Sequence, residues 1–164
     1  MIELAVKLRY MQLYTHNAHN ACQGNTFYAD HEELGGLYGV YEGLYDGIIE
    51  RMIGLGQTVN LIKVQTDAVK MLESETLPTT FDSAFSAILT CEEDLCKLIA
   101  QANEGASLGT QDLLQAMCND AEIRQYKLKQ RLSKSSEVKT EEKEATETTA
   151  KTKSPSVKLL SSVR

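Results

Sequence analysis

The chain has 164 residues, with 17 Lys and Arg against 23 Asp and Glu, a net charge of −6, no Trp and 2 Pro. That length suits one domain and a tail, and the acidic balance excludes a general basic footprint for nucleic acid. No stretch approaches the roughly 20 apolar residues of a membrane span, and no apolar run stands behind a basic cap at the start, so neither a membrane segment nor a signal peptide is expected.

Ile2 to Cys22 reads as a first helix, because Leu4, Leu8, Met11, Thr15 and Ala18 recur at three and four positions. His16 and His19 are three apart and can share a face. Gln23 to Tyr28 is a turn marked by Gly24-Asn25. A second helix is expected from Ala29 or Asp30, with Asp30 as its cap, to about Leu55, with Gly56 as its stop. Its packing stripe would be Leu34, Tyr38, Tyr41, Tyr45, Ile49, Met52 and Ile53. A long connection follows, with a short helix over about Val64 to Leu72. Helix three starts near Pro78-Thr79-Thr80 and buries Phe81, Phe85, Ile88, Leu95, Leu98 and Ile99. After a turn at 105–109, Thr110 is expected to cap a last helix with Leu113, Met117, Ala121, Leu128 and Leu132 inward. Glu104 and Asp112 beside that turn read as surface charge.

Residues 133–164 change character: rich in Ser, Thr, Lys and Glu, they hold no aromatic residue and should be disordered. Their end, from Lys151, carries Lys151, Lys153, Lys158 and Arg164 and no acid. It could contact DNA, or dock a protein partner through Ser156 to Arg164. The expected organisation is therefore a helical bundle over 1–132 and a polar tail over 133–164. The cysteines Cys22, Cys91, Cys96 and Cys118 form no C-x-x-C pair. Free thiols in a reducing cytoplasm are expected, with Cys22 as buried filler.

The chemistry concentrates between Thr15 and Gln57. His19 to His31 is twelve positions, His31 to Asp46 fifteen and Asp46 to Glu50 four. On one helix, His31, Asp46 and Glu50 share a face with Gly35, Gly39 and Glu42. Yet His31 and Asp46 are about 22 Å apart along that helix at 1.5 Å per residue. Metal ligands must lie within about 2.0–2.6 Å of their ion, so one helix cannot supply both. Two copies crossing antiparallel near Gly39 can, in the isologous geometry common in dimers. The glycines 35, 36, 39, 43 and 47 would let the helices approach. Helices three and four contain no His, which excludes a Glu-x-x-His site inside the bundle.

The segment His19 to Gly56 resembles the signature of the Dps-type miniferritins, DNA-binding proteins of starved cells in the ferritin-like superfamily. The matching order is His19, His31, Asp46, Glu50, Arg51 and Leu55-Gly56, with Gly24, Phe27 and His31-Glu32. Gly109-Thr110-Gln111-Asp112-Leu113-Leu114 resembles the start of the family's last helix. The chain has Asn20 where the family usually has Trp, and Gly35 where it often has Asp.

The resemblance implies an all-α, ferritin-like four-helix bundle with a short crossover helix. It implies a cytoplasmic homo-oligomer, a dodecamer built from two-fold dimers, that oxidises Fe²⁺ with peroxide or oxygen and stores ferric iron. His19 and His31 of one subunit, with Asp46 and Glu50 of its neighbour, would be both the catalytic and the metal-binding residues, and Glu32 would assist further iron. Two alternatives stand beside this: a non-catalytic ferritin-like interaction protein acting through its tail, and a DNA-protecting protein using that tail.

Overall fold

The computed structural model describes the backbone of residues 1–151 and the side-chain surroundings of residues 1–133. Five helices follow one another: α1 (Ile2–Ala21), α2 (Phe27–Gly54), α3 (Leu61–Glu73), α4 (Phe81–Asn103) and α5 (Leu108–Lys151). The chain divides into two units, with the boundary between Leu132 and Ser133. The first unit is a four-helix bundle of α1, α2, α4 and the first part of α5, with α3 in the long connection. No helix among the described residues is long and apolar enough to cross a membrane.

The direction of the helices explains that connection. Tyr41 bonds Glu92, and Asp30 and Asp82 share Arg131. Both pairings keep nearly the same offset in sequence, so α2 and α4 run parallel. Parallel neighbours cannot be joined by a tight turn, and α3 is the crossover that returns the chain. It starts at Asn60, whose side chain accepts from the Lys63 amide at 2.9 Å. α1 packs against α2, α3 and α4.

The stripe of α1 is buried throughout: Leu4, Leu8, Met11, Thr15 and Ala18 are at most 1 % exposed. It meets Leu34, Tyr41 and Ile48 of α2 and Phe85, Ile88 and Leu95 of α4 in one core cluster. Burial of this kind contributes about 25 cal/mol per Å² of apolar surface. Cys22 belongs to that core and contacts the Pro78 carbonyl.

Several boundaries differ from the sequence expectation. α2 starts at Phe27 after Thr26, not at Asp30. Asp30 lies inside the helix, 6 % exposed, where Thr26 and Arg131 bond its carboxylate. Its charge meets a guanidinium 101 residues away, a pairing that no local pattern announces. Thr110 does not cap α5: the Ser107 carbonyl accepts the Thr110 and Gln111 amides, so the helix opens three residues earlier and Thr110 is buried. Ile53, expected to pack inward, is 53 % exposed, since α2 reaches past the core in its last turn. α5 runs on past Leu132 to Lys151, through Glu141, Glu142, Lys143, Glu144 and Ala145, residues of good helix propensity. Of the basic end, residues 152–164 lie outside the described residues.

Candidate metal centre

α1 ends where α2 begins to return, and this hairpin brings His19 beside His31. Their rings stack with centroids 3.7 Å apart and planes 22° apart. Each ring also bonds the other residue's backbone. His19 Nδ1 lies 2.9 Å from the His31 carbonyl oxygen, and His31 Nδ1 lies 2.9 Å from the His19 carbonyl oxygen. A carbonyl can only accept, so both Nδ1 atoms carry the proton and donate. In the neutral imidazole that leaves Nε2 of each ring with its lone pair. Donation from the far nitrogen to a carbonyl is how proteins orient a metal-binding imidazole.

The reciprocity follows from helix geometry. His19 lies in the last turn of α1, where carbonyls lack an intrahelical partner, and His31 supplies one. The His31 carbonyl points along α2 toward Gly35, one turn on. A Cβ at Gly35 would sit 3.4 Å from His19 Cε1 and 3.6 Å from Nδ1. The bare backbone at Gly35 is thus the surface on which the His19 ring lies. A side chain there would be in ordinary van der Waals contact with the ring, so packing alone does not demand glycine at this position.

Aromatic rings enclose the pair. Phe27 stacks on His31 at 4.7 Å, and Tyr38 meets His19 edge-on at 5.5 Å. His16, exposed, leans on Tyr38 at 4.4 Å. Tyr38 is half-buried at this cluster rather than inside the bundle stripe. It is seven residues after His31, hence on the same helix face.

The carboxylates are elsewhere. α2 is one continuous helix from Phe27 to Gly54, so the separation of about 22 Å between His31 and Asp46 holds. Asp46 and Glu50 are exposed, four residues apart on one face. Glu50 lines a cleft of about 380 Å³ with Gly47, Arg51, Gly54, Leu55 and Leu113. Glu32 is exposed beside His31. Among the described residues, no three His, Cys, Asp or Glu side chains of a single chain converge on one point. One copy therefore keeps these imidazoles and carboxylates apart. Along the face between them, a Cβ at Gly36, Gly39, Gly43 or Gly47 would meet nothing within 4 Å.

The interior of the bundle holds a different polar cluster that sequence reading missed. Glu92, fully buried, accepts from Tyr41 Oη at 2.7 Å and from Arg124 Nε at 2.6 Å and Nη2 at 3.2 Å. Burial and the Glu92 carboxylate push the Tyr41 phenol well above its ordinary range. A signal was present: Glu92 stands in register with Ile88 and Leu95, and Arg124 with Ala121 and Leu128. Opposite charges in the core register of two neighbouring helices are a readable pair.

A family model for the ferritin-like domain matches residues 3–138. The chain belongs to the ferritin-like family. A comparison with curated proteins gives no match. In this ferritin-like chain the centre of the bundle is filled by the Tyr41–Glu92–Arg124 cluster, and the half-buried His19 and His31 imidazoles lie at its α1–α2 edge.

Proposed function

We propose that this protein is a miniferritin that binds and oxidises Fe²⁺ at two-fold interfaces between copies and stores the ferric product in an oligomeric cage, a dodecamer in the Dps pattern. The observation that carries the reading is the reciprocal hydrogen bonding of His19 and His31, which leaves two Nε2 lone pairs free and oriented. Asp46 and Glu50 of a second, antiparallel copy would add the carboxylates. Two imidazoles and two carboxylates suit Fe²⁺ and leave positions open for peroxide or oxygen. Crossing near Gly39, where α2 carries no side chain, sets each copy's His31 against the other's Asp46 and Glu50 and repeats the site twice per dimer.

The chain's own residues have distinct parts. His19 and His31 hold the ferrous substrate through Nε2 while their Nδ1–H groups stay donated to backbone carbonyls. Asp46 and Glu50 neutralise the charge that grows as iron becomes ferric. Glu32, exposed beside His31, offers a further carboxylate to incoming iron.

The test uses mixed mutants. H31A and E50A should each lose most rapid Fe²⁺ oxidation. Refolded together in equal amounts, about half the dimers contain one chain of each kind, and one of the two sites in each is intact. Roughly a quarter of wild-type activity should then return. Mixed dimers without recovered activity would remove the shared site and the function with it.

A further inference from the structure

Of the four cysteines, two are buried and engaged. Cys22 donates to the Pro78 carbonyl, and Cys91 accepts from Lys7 Nζ at 3.5 Å. Cys96 and Cys118 differ from them. Each packs against the core yet keeps part of its surface in solvent, and neither belongs to the site described above.

Helix register brings these two together. α4 and α5 run antiparallel: Asp82 pairs with Arg131 and, farther along α4, Glu92 pairs with Arg124. Cys96 lies one turn beyond Glu92, and that register puts Cys118 within about 3 Å of its height. The facing is set by Gln125, whose side-chain amide donates to the Glu92 carbonyl at 3.2 Å and to Cys96 Sγ at 3.3 Å. Cys118 precedes Gln125 by seven residues, so it shares that face of α5. The two thiols are in hydrogen-bond contact. A disulfide joins only residues whose side chains already face each other, and these do.

We infer that Cys96 and Cys118 form a dithiol that hydrogen peroxide oxidises to a disulfide between α4 and α5. Burial, with Cys118 beside it, pushes the Cys96 thiol up to about 12, so Cys96 keeps its proton and Cys118 reacts first. As thiolate, Cys118 attacks one peroxide oxygen. The O–O bond breaks, and the departing hydroxide takes up the proton that Cys118 released. The Cys96 sulfur then attacks the sulfenic Cys118 sulfur, the S–O bond breaks, and the leaving hydroxide takes the Cys96 proton. Two thiols and one peroxide give one disulfide and two waters; the sulfurs lose two electrons and the peroxide gains them. A small dithiol reductant restores the pair by exchange. No iron takes part, so the step stands apart from the function proposed above.

The experiment treats the full-length protein, freed of iron by a chelator, with a small excess of hydrogen peroxide and then alkylates the remaining thiols. Trypsin with a glutamate-specific protease separates Cys91 from Cys96 for peptide mapping. Two of the four thiols should disappear, and the intact chain should lose the mass of two hydrogens without becoming linked to another chain. The Cys96 and Cys118 peptides should be joined, and dithiothreitol should return both thiols. In Cys96→Ser, dimedone added with the peroxide should label Cys118; in Cys118→Ser, Cys96 should stay unlabelled and open to alkylation. Both thiols alkylated in wild type after peroxide, or a bridge that joins two chains or includes Cys22 or Cys91, overturns the dithiol. Dimedone on Cys96 in C118S overturns the order of reaction. Should a variant not fold, the wild-type map decides by the same criteria.

Discussion

The bundle carries two polar clusters of opposite design. Tyr41, Glu92 and Arg124 close on one another inside the core, with the carboxylate at 0 % exposure and both its oxygens bonded. His19 and His31 close only half of their bonding capacity. Their Nδ1 atoms are satisfied and their Nε2 atoms are not, at a half-buried edge beside bare glycines. A closed cluster holds helices together; a half-open one holds them and still leaves two ring nitrogens unbonded. The difference separates a group that serves stability from one available for chemistry.

That contrast can be broken at its strongest point first. Glu92→Ala leaves the Arg124 guanidinium, whose side chain is 12 % exposed, without its partner. The cost should be about 3–5 kcal/mol, read from urea unfolding. His31→Ala removes a partly exposed ring and its hydrogen bond, and should cost only about 1–2 kcal/mol while abolishing rapid iron oxidation. Equal losses of stability from the two variants would erase the distinction.

Alkali should open the closed cluster. Burial raises the phenols of Tyr41 and Tyr10, and it raises that of Tyr14 to about 12. Unfolded, each would ionise near 10. A group whose folded pKa is raised contributes stability that is complete below its unfolded pKa and lost as pH climbs toward the folded one. Stability should therefore fall between about pH 10 and 12, and these phenolates should appear in ultraviolet titration together with unfolding. Independent ionisation in a folded chain would show the phenols to be accessible.

The smallest change has the most telling sign. A side chain at Gly39 meets nothing within its own chain. Gly39→Ala should raise helix stability in the isolated chain by about 1 kcal/mol. Gly39→Leu should weaken the proposed dimer without loss of helical content, read by sedimentation and circular dichroism. Normal assembly of G39L would place the two-fold contact on another face.

Periodicity in the sequence made the helices and most of the core legible. The α1 stripe from Leu4 to Ala18 lies inside as its spacing required. What stayed hidden depends on partners distant in sequence. Asp30 looks like a helix cap until Arg131 reaches it, and Glu92 is understood only with Arg124, whose core register on α5 is the signal to look for. For the site, residue types and spacing named His19 and His31. They could not show that each ring would bond the other's carbonyl, because that depends on how the α1–α2 turn sets two helix ends. Gly35 reads in the sequence as a lost carboxylate; the structure adds that it lies against the His19 ring, where a Cβ would make ordinary contact.

The unbroken length of α2 has a consequence for timing. On the reading proposed here, a newly made chain carries imidazoles at one end of this helix and carboxylates at the other, and cannot bring them together. Folding alone would leave it inert toward iron. Reactivity would begin only when two copies meet, so activity per chain should fall on dilution below the dimer dissociation constant and return on concentration. A cell would thus carry no oxidising monomers during synthesis: the chemistry starts with the first step of building the compartment that receives its product.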